Sequence, residues 1–249
     1  MYQPRLYRMD MNQDRFRFFP VSLHESDLLI GVPHGQYVPS MTEVTLSELS
    51  RIRLILESFM ETEPSFGNSL NPLPLPARTR EIPEEVISMI KCGQKTHTGP
   101  MSAVAGLFAE RVGARLVEDY RLDEVVVENG GDLYVKNSEE VTSVIHAGSS
   151  PLSDKMAFVL PGGAWGICTS SGTMGHSLSF GRADAVTVIA KSTPLADAWA
   201  TALANEVKSE EDIENTLERV QEIPEILGCA IIAGGQIGVR GAFEVKLLS

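Results

Sequence analysis

Glu124-Val125-Val126-Val127-Glu128-Asn129-Gly130-Gly131-Asp132-Leu133-Tyr134-Val135-Lys136 is the stretch whose reading decides the fold. Two runs rich in β-branched and aromatic residues flank a short polar turn, and Asn-Gly with Gly-Gly supplies the positive φ angles that a tight antiparallel connection demands. The segment reads as a β-hairpin. As a turn it needs no further role. The acids that bracket it, Glu128 and Asp132, admit a second reading, in which a flat ring or hydroxylated chain lies against the glycine backbone while Asp132 accepts hydrogen bonds.

Outward from the hairpin, strand-like runs recur at 141–146, 155–160, 166–169 and 185–190, and again at 228–233, 236–240 and 242–248. Their short connections favour antiparallel pairing. Toward the N-terminus, 5–9, 15–19 and 27–32 form a smaller set of strands broken by polar residues and Pro20. Helical spacing appears from Thr45 onward. Thr45-Leu46-Ser47-Glu48 has the form of a capping box, and Leu46, Leu49, Ile52, Leu56 and Phe59 then predict a helix over about 46–62. Pro83-Glu84-Glu85 opens a helix to about Cys92, Gly99-Pro100 a third to about Gly113, Thr193-Pro194 a fourth, and an acidic helix covers about 210–220. Ser102, Ala103, Ala105, Gly106 and Ala109 would let another element or a ligand come close to the third helix. Runs of strands alternating with runs of helices make an α+β protein. We read 1–249 as one domain, with the proline-rich stretch at about 64–80 as a rigid surface loop; an interdomain linker is the competing reading.

A net charge of −12 with no basic patch argues against nucleic acid and anionic lipid as partners, and no run is long and apolar enough for a membrane span. Cys92, Cys168 and Cys229 are widely separated and predict three free thiols in a reducing, cytoplasmic setting.

Two further stretches carry candidate chemistry. Residues 162–176 combine five glycines with Thr169, Ser170, Ser171 and Thr173 and end at His176. Backbone N–H groups and short hydroxyls of that kind suit phosphate or a polar heterocycle, while Walker and nucleophile-elbow spacings are absent. Asp197 and Thr201 lie four apart on one helix face. They offer hard oxygens to Mg²⁺; equally, Asp197 can serve the helix dipole and Thr201 can bond back to a carbonyl.

Taken in order, Glu128-Asn-Gly-Gly-Asp132, Thr169-Ser-Ser-Gly172 and Ala185-Val-Thr-Val-Ile189 leading into Leu195-Ala-Asp-Ala-Trp-Ala-Thr-Ala-Leu203 resemble the ApbE family of FAD:protein FMN transferases. Gly99-Pro-Met-Ser-Ala-Val-Ala-Gly106 and the hairpin resemble more narrowly its UPF0280 group. The resemblance implies a mostly antiparallel sheet packed with helices around a central cleft that holds FAD, with Asp197 and Thr201 as ligands of Mg²⁺. Residues 128–132 and 169–172 would contact the flavin or adenine nucleotide, His176 would be the catalytic candidate, and an acceptor protein would receive FMN. A non-catalytic flavin- or nucleotide-binding regulator that keeps the cleft is the alternative. Thr98-Gly99-Pro100 stands where the family has Lys-Gly-Tyr, and 176–182 keeps the family's His but not its Asp-Pro or Thr-Gly.

Overall fold

The computed structural model describes residues 14–77, 79–172 and 181–248. The strand expected at 5–9 and the candidate His176 lie outside the described residues. An eight-stranded antiparallel sheet forms the middle layer. In chain order its members are β1 (Phe16–Leu23), β2 (Ser26–Pro33), β3 (Val125–Asn129), β4 (Asp132–Asn137), β7 (Gly163–Ser170), β8 (Ala185–Ala190), β9 (Gly228–Ala233) and β10 (Gln236–Gly241), and they are neighbours in that same order. A second sheet, ordered β11-β6-β5, joins β5 (Val141–Val144), β6 (Met156–Leu160) and β11 (Glu244–Leu247).

The large sheet is covered on both faces. Val125, Val127, Cys168, Val188 and Ile231 point to a core shared with the helices. Their neighbours Val126, Ile167, Ile189 and Ile232 point to another core, shared with Phe158 and Leu160 of β6. Strands buried on two sides cannot alternate apolar with polar residues, which is why β3, β8 and β9 are buried throughout. The helices on the first face are α1 (Ser40–Thr62), the short α2 (Ser65–Asn68), α3 (Glu84–Thr96), α4 (Val104–Tyr120), α5 (Thr193–Glu206) and α6 (Asp212–Val220). Among the described residues, no helix is long and apolar enough to cross a membrane.

The expected element types recur, and several boundaries differ for local reasons. α1 begins at Ser40 behind Pro39, so Thr45-Leu46-Ser47-Glu48 is not its cap. Thr45 is fully buried, and Glu48 instead holds Arg51, which also reaches Glu85 on α3 at 2.7 Å. What resembled a local cap is a tertiary tie between two helices. Pro20 does not break β1; it lies in an edge strand, where a missing N–H is tolerated. Within the proline-rich stretch, the Leu73 carbonyl accepts from Gln94 Nε2 at 2.8 Å, and a Cβ on Gly99 would overlap the Ser69 carbonyl, so this loop lies against α3 and the turn after it.

Gly113 does not end its helix. α4 runs on to Tyr120 and closes with Arg121 in the left-handed region. Gly113 gives room to the Tyr134 ring of β4, which an added Cβ would overlap. Gly113→Ala should therefore destabilise the protein by about 1–3 kcal/mol despite alanine's better helix propensity. Denaturant unfolding checks this, and a stabilised variant would refute the packing role.

Candidate functional site

The hairpin forms as expected. Asn129 faces Asp132 across Gly130 (φ 71°) and Gly131 (φ 105°), the positive pair of a two-residue turn. Its polar residues are already engaged. Glu128, fully buried, accepts the Gly131 N–H at 2.9 Å, and Asn129 donates from Nδ2 to the Ala105 carbonyl at 3.1 Å. Asp132 is buried opposite Cys168 on β7. Gly131 also sits over the Thr169 carbonyl, 3.6 Å from where its Cβ would be, so hairpin tip and β7 end meet.

The glycine-rich stretch proves to be two things. Residues 163–170 are a central strand, and its glycines answer packing demands rather than forming an anion loop. A Cβ on Gly166 would strike the backbone of Thr193 at the start of α5, and one on Gly162 would lie 2.6 Å from the Ser138 carbonyl. Thr169 Oγ1 bonds Thr187 Oγ1 at 2.8 Å, and Ser170, at the end of the strand, is buried. Only Ser171 and Gly172 of the described residues begin a loop there, with Gly172 donating to the Ala183 carbonyl at 2.9 Å.

Asp197 is the most constrained group of this region. It projects from α5 to the opening turn of α4, where its Oδ2 accepts the Gly106 N–H at 2.9 Å and the Ala105 N–H also bonds the carboxylate. It is not the first-turn acid of its own helix; it caps the neighbouring one. Glu110 of α4 returns the arrangement, accepting the Thr193 N–H of α5 at 2.7 Å. Neither helix has a side-chain cap of its own. The close approach needs Gly106, whose Cβ would lie 2.6 Å from the Thr193 carbonyl and 2.9 Å from Asp197 Cβ. The small residues foreseen around 102–106 thus admit α5.

Burial drives the Asp197 carboxyl up to about 7, outweighing the two N–H bonds that favour its charge. Thr201 stands one turn further along the same face, partly exposed. Cys168 and Cys92 are buried next to these acids. Burial, then Asp132 and Asp197, lift the Cys168 thiol well above its usual range, and burial, then Asp197 and Glu110, push Cys92 up to about 12. The start of α4, the hairpin tip, the end of β7 and Asp197 therefore lie together. Sequence reading missed Glu110, which looks like any acid on a helix, and the packing roles of Gly106 and Gly166 as a pair. Among the described residues, no group of three or more His, Cys, Asp or Glu is arranged to hold a metal.

The fold is similar to that of the flavin transferase ApbE from Vibrio cholerae, with a TM-score of 0.58 at 12% identity over 90% of this chain and 96% of that one. It is also similar to the ApbE protein of Thermotoga maritima, with a TM-score of 0.56 at 15% identity over 91% and 97%. These define the class: an ApbE-like fold. A family model described as AbpE bacteria matches residues 8–237, and the chain belongs to that family. Its relatives include a UPF0280 protein of Methanocaldococcus jannaschii, 35% identical over 228 residues, 89% of each chain. Another, from Methanothermobacter thermautotrophicus, is 39% identical over 195 residues, 76% of this chain and 74% of that one.

Two outcomes test the site's electrostatics. With the Asp197 carboxyl raised from 3.8 to about 7, the folded state binds a proton that the unfolded state lacks between those values, so stability falls as pH rises through that window and levels off above it. Asp197→Asn, which keeps an acceptor for the Gly106 N–H, should gain stability relative to the parent by on the order of 1 kcal/mol per pH unit between about pH 4 and 7. A pH-independent difference in thermal melting would contradict this. Separately, Cys92, Cys168 and Cys229 are all buried free thiols. A disulfide-exchange reagent at pH 8 should label none of them in native protein within minutes and three after denaturation.

Proposed function

We propose that this protein binds a flavin nucleotide together with Mg²⁺ and acts as an FMN transferase that uses FAD. The observation that supports this reading is the convergence of the hairpin tip, Thr169–Gly172 and Asp197 at the start of α4, with a carboxyl at Asp197 that burial holds near neutrality. A cation beside that carboxyl would relieve the desolvation that raises it.

The donor set fits Mg²⁺. Asp197 supplies one hard carboxylate and Thr201 one hydroxyl, and this ion is commonly held by one or two protein groups, with phosphate and water completing its shell. When bound it would supply charge neutralisation and polarisation at a phosphoanhydride. The chain's own residues do the positioning. Asp197 is fixed in direction by the N–H groups of α4. The Gly130-Gly131 backbone leaves a side-chain-free surface for a flat ring, and Asp132, Thr169, Ser170, Ser171 and Gly172 are assigned to hydroxyl and phosphate contacts. Glu128 and Asn129 hold the turn and the α4 junction in shape. His176 is the candidate proton acceptor for an attacking hydroxyl of an acceptor protein.

The alternative, a nucleotide-binding protein without transfer chemistry, draws on one specific feature. Thr98-Gly99-Pro100 stands where the family has Lys-Gly-Tyr, and Lys95 is not in register with that lysine.

Because so few protein oxygens face the ion, metal and nucleotide should bind cooperatively, with a coupling of roughly 1–3 kcal/mol. Calorimetry of FAD with and without Mg²⁺ should show that coupling in the parent and not in Asp197→Asn; an equal Mg²⁺ effect in both removes Asp197 as a ligand. Release of AMP from FAD and Mg²⁺ in the presence of an acceptor separates transferase from binding protein.

A further inference from the structure

The large sheet ends at β1 on one side and at β10 on the other, and the chain treats these two edges differently. Each edge strand is joined to its neighbour by a two-residue turn, His24-Glu25 for β1 and Gly234-Gly235 for β10. Leu23 with Ser26, and Ala233 with Gln236, are therefore the closing hydrogen-bonded pairs, and alternation from them fixes where every other backbone group points. In β1 the outward groups belong to Phe18, Pro20 and Ser22, so Pro20 places a missing N–H in the middle of that edge. In β10 they belong to Ile237, Val239 and Gly241. None of these is proline, and among the described residues no group bonds the N–H of Ile237 or Val239.

Both faces of β10 are already covered. A Cβ on Gly238 would strike Leu217 and Ile213 of α6, while Ile237 and Val239 pack on the opposite core with Phe243 and Val245. What stays open is extended backbone, and an added strand supplies donors and acceptors at its spacing.

The sequence of β10 is complementary to itself. About a two-fold axis at Gly238, an antiparallel partner sets Ile237 opposite the second copy's Val239 and Val239 opposite its Ile237. All of these groups face outward, so each pair can exchange both backbone bonds; a slip of one residue would oppose outward to inward groups. Apolar Ile and Val side chains meet across the join on one face. On the α6 face Gln236 meets the second copy's Arg240, an amide against a guanidinium, with no like charges opposed. Among the described residues Arg240 has no ion-pair partner in its own chain.

We propose that β10 is an interface at which a second copy of this chain adds its own β10, antiparallel about Gly238, to form one continuous sheet across a symmetric dimer. The strands β3, β4 and β7 that carry the candidate site lie inside the sheet, so this inference is independent of the flavin reading.

Sedimentation of the full-length protein, from about one micromolar to hundreds of micromolar, tests it. Pairing of one strand lies at the small end of specific interfaces, so a dimer that dissociates on dilution is expected. Hydrogen exchange at the two extremes should show the Ile237 and Val239 amides protected only in the dimer. Val239→Pro deletes an outward donor but spares the bonds to β9, and should abolish the dimer while keeping the melting temperature of the parent monomer. Gln236→Glu, which sets a carboxylate against Arg240, should tighten the dimer about tenfold, and Gln236→Lys should weaken it by a similar factor. Gln236 is exposed, so these two variants keep the test decisive if the proline variant does not fold. The inference is overturned if the parent is monomeric at hundreds of micromolar, or if the two amides exchange alike in dimer and monomer. It is equally overturned if a folded Val239→Pro dimerises as well as the parent, or if the two Gln236 variants shift the equilibrium in the same direction.

Discussion

Asp197 reaches from α5 to the amides that open α4, and Glu110 reaches from α4 to the amide that opens α5. Each helix thereby receives the acceptor its own N-terminus lacks, in place of a local Ser, Thr or Asp cap. The exchange works only at short range. Gly106 on one side and Gly166 of β7 on the other remove the side chains that would hold α5 away. Two glycines and two acids thus set the position of α5, and with it the position of Thr201.

The covered sheet explains why this junction is rigid. With the helical layer on one face and β5, β6 and β11 on the other, strands β3, β8 and β9 have no solvent face. A register slip there would bury polar groups without partners or displace two cores at once. The hairpin tip is consequently presented at a fixed place, and Asn129 joins it to α4 through the Ala105 carbonyl. The same α4 turn therefore meets both Asn129 and Asp197, which is how residues far apart in sequence come to share one site.

The raised Asp197 carboxyl follows from that geometry. A carboxylate serving two backbone amides would ordinarily be held low, yet enclosure by protein wins here. The protein accepts a poorly solvated acid at the junction of α4 and α5, where it serves the amides that open α4.

Much of this was readable in the sequence because it rests on local chemistry. Asn-Gly-Gly-Asp can close a tight hairpin whatever surrounds it, proline starts helices α3 and α5, and β-branched runs mark nearly every strand of the sheet. The motif order also gave the family. Tertiary structure decided what the same residue types do when the neighbour is remote in sequence. Thr45 and Glu48 have the spacing of a cap, but the chain had already turned helical at Ser40 and Glu48 found Arg51 and, through it, α3. Gly113 looks like a helix stop, yet it faces Tyr134. Gly162, Gly163 and Gly166 suggest a phosphate loop, yet they pack within and around a strand. Spacing records which side chains share a face; it carries no information on which distant element that face will meet, and that contact alone made Asp197 and Glu110 partners.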